Sequence, residues 1–157
     1  MGLVGSYTTG ILPPLPLSLK DVGVYHSVTR TASGYIIQKE PDRLWYQLFD
    51  TQIVHTTPGE SLSGYSAVFA PGAFSSDLMH VWEKYDATQK KWVVQSRVIF
   101  PVNGGRDAGY RGYSIITSPE PGLWRLSVLS ESEQVLGRVQ FQVQNTSVPP
   151  TLETVTK

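Results

Sequence analysis

The sequence predicts an all-β domain, an immunoglobulin-like antiparallel β-sandwich of seven to ten short strands. Three observations lead there. Apolar and polar residues alternate with a period of two in run after run, turn residues separate the runs, and no run holds a helical period over a useful length. A closed barrel is the competing architecture, because periodicity alone does not separate the two.

The early runs are short: Val22 to Val28, Tyr35 to Gln38, Leu44 to Val54 and Leu62 to Phe69. Leu78 to Tyr85 follows, with Leu78, His80 and Trp82 on one face and Met79 and Val81 on the other. The clearest run is Trp92 to Val102. Its even positions, Trp92, Val94, Ser96, Val98, Phe100 and Val102, make one apolar face against Gln95 and Arg97. Tyr110 to Ile116 comes next. Trp124, Leu126 and Val128 then alternate with Arg125 and Ser127, and Val135, Val139, Phe141 and Val143 alternate with Arg138, Gln140 and Gln142. The short polar link Ser130 to Glu133 joins these two as a hairpin. Pro58-Gly59, Pro71-Gly72, Gly104-Gly105 and Pro121-Gly122 fall between runs, where turns need their φ values.

The sandwich is expected over residues 20–144. Residues 1–19 read as an extended connector: they carry no charge before Lys20, yet Pro13, Pro14 and Pro16 stiffen them and bar a membrane helix. Residues 145–157, polar and holding Pro149 and Pro150, read as a disordered tail.

Charge excludes one class of function. With 13 basic and 13 acidic residues the chain has no net charge, so it lacks the field that displaces counterions from nucleic acid. Without cysteine it has no disulfide, thiolate zinc site or cysteine nucleophile. Nucleophile, cofactor and phosphate-loop motifs are absent too, so neither an enzyme nor a cofactor is expected. His26, His55 and His80 lack the spacing that brings metal ligands together on one element, and no metal site is expected. Each lies on a different run, so only the fold could assemble them.

His80 is expected in the core. Leu78 and Trp82 share its face, and the nearest acid on that side, Asp86, is about 20 Å along at strand rise. Trp82, Trp92, Trp124 and Phe141 are expected there as well. A buried aromatic removes about 150–250 Å² from water, worth several kcal/mol at ~25 cal/mol per Å², which a domain stable by about 5–15 kcal/mol cannot forgo four times. Trp45, in "RLWYQLF", is the tryptophan least suited to burial, and with exposed tyrosines it would suit a carbohydrate-binding sandwich module. A hydrolase with His80 as base would need a serine or carboxylate within hydrogen-bond reach.

"NGGRDAGYRGYS", Asn103 to Ser114, is the candidate binding segment, with Arg106, Asp107, Tyr110, Arg111 and Tyr113 as its ligand-contacting residues. Glycines let N–H groups turn toward a ligand, arginine presents a planar fork, and tyrosine gives rigid area with a polar tip. The alternative is a tight crossover in which these residues cover the sheet.

The stretch "SDLMHVWEKYD…KKWVVQSRVIFPVNGGRDAGYRGYS…PGLWRLSVLSESEQVLGRVQFQV" resembles the bacterial domain-of-unknown-function family 2914 (DUF2914). The shared pattern is His80-x-Trp82, Gly104-Gly105-Arg106-Asp107, Tyr110-Arg111-Gly112-Tyr113-Ser114, Pro121-Gly122-x-Trp124-Arg125 and Gly137-Arg138-x-x-Phe141. The resemblance brings no activity with it. It implies a soluble domain of a bacterial membrane protein, tethered by segments outside this chain, with residues 1–19 as a juxtamembrane stub; with no catalytic motif in the residues, a non-enzymatic role is the expectation. The expected place is the cell envelope on its extracytoplasmic side, and the expected partner an envelope component or a protein.

Overall fold

Residues 17–32, 34–41, 51–69, 75–103 and 110–157 are described by a computed structural model of the chain. Within them every regular element is a strand: β1 (Ser18–Tyr25), β2 (Ser27–Thr31), β3 (Gly34–Lys39), β4 (Thr51–Thr56), β5 (Leu62–Phe69), β6 (Ser75–Asp86), β7 (Lys91–Asn103), β8 (Tyr110–Ile116), β9 (Gly122–Ser130), β10 (Val135–Asn145) and β11 (Glu153–Thr156). None of the described residues forms a helix long and apolar enough to cross a membrane.

The strands make three sheets, ordered β1-β5-β8, β4-β10-β9-β6-β7 and β11-β3-β2. All pairs are antiparallel except β4 with β10. The chain crosses from β5 to β6 and back from β7 to β8, and the β10-β9-β6-β7 order is that of the G, F, C and C′ strands of an immunoglobulin-like sandwich. The predicted class therefore holds. The strand count runs higher because an outer sheet is added.

β5 explains the layering. Its sequence, LSGYSAVF, is buried at every position but the last, which a sheet with one wet face does not permit. Leu62 and Val68 turn toward the five-stranded sheet. There one cluster gathers Val24, Val54, Leu62, Trp82, Trp124, Leu126, Phe141 and Val143, and a second gathers Leu17, Val68, Leu78 and Val128. Tyr65 and Ala67 turn the other way and pack with Val28, Tyr35 and Ile37 of the outer sheet. The β1-β5-β8 sheet is thus the middle layer of three.

At the centre of the main core Gly64 of β5 faces Leu126 of β9 beneath the Trp82 indole. A Cβ placed on Gly64 would lie 2.5 Å from Leu126 Cδ2 and 2.7 Å from Trp82 Cζ2. Glycine is needed there because the two side chains already fill the space.

Two expectations about faces and ends are corrected. Trp92 is not in the core. The β6–β7 register steps from Trp82↔Ser96 to Glu83↔Val94, which leaves Gln95 as an extra residue, a β-bulge. Ser96, Val98 and Phe100 face inward beyond it, while Trp92 and Val94 turn outward, and Val94 is exposed. The same device acts in β10, where Leu136 is the extra residue and Val135 becomes exposed. Nor is the C-terminal segment a disordered tail. Glu153–Thr156 form β11, pairing Val155 with Ile37 and Thr154 with Gln38, and Lys157 exchanges both backbone hydrogen bonds with Tyr35 at 2.9 Å.

Candidate functional site

Strand alternation divides the candidate segment between two duties. Tyr110 is partly buried against the Leu78–Val128 cluster beside Phe100. Ser114 is buried and meets His80. Arg111, Tyr113 and Ile115 occupy the opposite face, in register with Ala67, Tyr65 and Ser63 of β5. The Arg111 guanidinium lies 5.1 Å over the Tyr35 ring, and its carbonyl accepts a hydrogen bond from the Tyr35 hydroxyl at 2.9 Å. Burial raises the Tyr65 phenol, against the lowering effect of the same guanidinium. Tyr113 stands edge-on to Tyr35 at 6.2 Å. Tyr113 is 36% exposed and Ile115 52% exposed. Arg106 and Asp107 lie outside the described residues, as does Trp45.

His80 is fully buried, at 0% exposure. Its Nε2 is 2.7 Å from Ser66 Oγ and its Nδ1 2.8 Å from Ser114 Oγ, while Trp82 Nε1 donates to Ser114 Oγ at 3.0 Å. The Phe100 ring closes on it edge-on at 4.9 Å. Burial pushes the imidazole down to about 4, so it is neutral. A neutral ring offers one donor and one acceptor, and two hydroxyls satisfy both. The network runs from β6 to β5 and β8 and so ties the two main sheets together. A serine does stand within reach of His80, but a sealed imidazole cannot touch a substrate, and the role is structural. Alternation could have placed Ser66 and Ser114 inward; nothing local could have paired them with His80.

Trp92, turned out of the core, is engaged by neighbouring side chains. Arg125 lies 4.3 Å over the Trp92 ring and pairs with Glu83 at 2.7 Å, and Tyr85 meets Trp92 edge-on at 5.3 Å. One face of that ring is therefore taken by a guanidinium. Far from His80, His26 and His55 come together around Glu40 at the end of β3. Among the described residues no group of three or more acids, histidines or cysteines is arranged to hold a metal ion.

Topology, register and core define an immunoglobulin-like β-sandwich domain. Within it, residues 75–143 match the model of a family described as "Protein of unknown function (DUF2914)", so the resemblance read from the motifs holds over that stretch. None of the curated proteins matches the chain. Among solved structures the chain is similar to an immunoglobulin-like protein from Pseudomonas aeruginosa, at 13% identity and a TM-score of 0.44, over 82% of this chain and 96% of that one. It is also similar to part of the alkylpurine DNA glycosylase AlkC from Pseudomonas fluorescens, at 13% identity and a TM-score of 0.48, over 84% of this chain and 31% of that one. A β-glucosidase from Listeria innocua gives 15% identity and a TM-score of 0.40, over 73% of this chain and 16% of that one.

Proposed function

We propose that the chain is a non-enzymatic binding domain of a bacterial membrane protein, displayed at the cell envelope, which holds a partner protein along β8. The observation that carries this reading is the state of that strand. Among the described residues β8 pairs with β5 alone, and its outer face shows Tyr113 and Ile115 to solvent. Natural sheets shorten, charge or cover such an edge; one left open with an aromatic and a branched aliphatic residue suits an added strand from a partner. The Arg111 carbonyl is capped by Tyr35, so the open length begins beyond it. In this reading Arg111 is a buttress, and Tyr113 and Ile115 are the contacts. An envelope component bound through the same residues is the form a lipid or glycan ligand would take.

A photo-cross-linking residue at Ile115 tests this in the host cell, with one at the exposed turn residue Thr88 as reference. Position 115 is expected to give a discrete protein adduct and position 88 none. Ile115→Lys should abolish association while changing stability by less than about 0.5 kcal/mol, as surface substitutions usually do. Equal labelling at both positions, or none at either, ends the reading.

A further inference from the structure

His26 occupies the bend between β1 and β2, and its side chain is 3% exposed. Both ring nitrogens face carboxylates: Nδ1 is 2.6 Å from Glu60 Oε2, and Nε2 is 2.9 Å from Glu40 Oε2. The other oxygen of Glu40 stands 2.6 Å from His55 Nδ1, and Glu40 Oε2 also accepts the His55 backbone N–H at 2.8 Å. Glu60 Oε1 accepts the Thr57 backbone N–H at 3.0 Å. The order of the row is Glu60, His26, Glu40, His55.

Elementary hydrogen-bond chemistry fixes the proton count. A neutral imidazole carries one donor and one acceptor. Between two carboxylates it would turn a lone pair against a lone pair. The row is fully satisfied when His26 carries both protons, so that a buried cation is clasped by two anions. Its members come from all three layers. His26 ends β1 and begins the outer sheet at β2, Glu40 follows β3 of the outer sheet, His55 is on β4 of the five-stranded sheet, and Glu60 leads into β5.

We propose that Glu60, His26, Glu40 and His55 form a proton-operated clasp that fastens the outer sheet to the other two. The groups facing His26 are the two carboxylates, and His55 faces Glu40 from β4. The segment that walls the cleft over Glu40 and His55, with Thr146, Val148, Pro149, Pro150 and Thr151, brings no charge. That cleft holds about 420 Å³ and gives solvent a route to the row.

Titration of the groups agrees with the geometry. Burial pulls the His26 imidazole down, but hydrogen bonds and charge from Glu40 and Glu60 outweigh it and hold it above its ordinary 6.5. Burial pushes Glu40 and Glu60 up, yet their bonds to histidine and to backbone N–H groups keep both below 4.5. The His26 contribution is complete below 6.5 and is lost as pH rises through its raised value; those of Glu40 and Glu60 are present above 4.5 and are lost as pH falls through their lowered values. The clasp is therefore closed from 4.5 to 6.5 and loosens on either side.

The test is a pH titration of the His26 ring by NMR, combined with amide exchange of Ile37 in β3 against Leu126 in the core. The His26 midpoint is expected above 6.5 and should fall in Glu40→Gln and in Glu60→Gln. Ile37 exchange, corrected for its intrinsic rate, should quicken relative to Leu126 between about pH 6 and about pH 9, by up to about tenfold for each pH unit of His26 displacement. In His26→Gln that pH dependence should vanish. Should Glu40→Gln fail to fold, the more exposed Glu60 keeps the test open. A His26 midpoint at or below 6.5, or Ile37 exchange that follows Leu126 at every pH, overturns the proposal.

Discussion

Acid should weaken the fold through His80, by an amount the structure sets. The ring ionises near 6.5 in an unfolded chain and near 4 in its sealed site, because burial opposes the charge. Between those values the unfolded chain takes up a proton that the folded chain refuses. Stability therefore falls as pH drops through 6.5 and levels off below about 4. At about 1.4 kcal/mol per pH unit the loss is about 3 kcal/mol, or roughly 6–12 °C in Tm for a chain of this size. Other groups also titrate in this range, His26, Glu40 and Glu60 among them, so the quantity to measure is a difference. His80→Gln keeps a donor and an acceptor for Ser66 and Ser114 but has nothing to ionise. Urea unfolding of both proteins from about pH 7.5 to about pH 4 is the assay, with the gap between them expected to close by about 3 kcal/mol. Parallel curves would refute the reasoning, since they would mean that His80 ionises alike in both states.

Two further outcomes follow from packing. Gly64→Ala should lower stability by about 1–3 kcal/mol in thermal or denaturant unfolding, because its Cβ meets Leu126 and Trp82 and the surroundings must give way; an unchanged midpoint would show slack in that layer. Trp82→Ala should cost about 3–5 kcal/mol or more and Trp92→Ala about 1 kcal/mol, chiefly its contact with Arg125. Equal losses at the two tryptophans would contradict the outward turn of Trp92.

The period of two was enough to locate most strands, because alternation and turn residues are local properties. It also placed His80, Trp82 and Trp124 correctly, since no bulge interrupts β6 or β9 around them. It failed at Trp92 and Val135 for one shared reason. A single extra residue reverses every face beyond it; no glycine or proline stands beside Gln95 to announce the bulge, whereas Gly137 follows Leu136 directly and is the local signal for the second. Alternation does not reveal β11, because Glu153–Thr156 is short and polar and its order comes from pairing with β3. The outer layer left one readable trace: β5 is apolar or small at both parities, as a doubly covered strand must be. Within the candidate segment the two-faced use of Tyr110 and Tyr113 follows from alternation, but the capping of Arg111 by Tyr35 joins residues 76 apart. The row around His26 joins residues 14 to 34 apart in sequence, and no motif rule reaches across them.

Immunoglobulin domains of antibodies join their sheets by a disulfide between strands B and F, set against a tryptophan on strand C. Here β5 and β9 hold those places, and Gly64 and Leu126 meet there under Trp82. Glutathione or dithiothreitol thus has nothing to cleave between the layers. The midpoint of unfolding should not respond to thiol reagents, and assembly of the sandwich needs no oxidant or disulfide isomerase, whichever compartment the chain matures in.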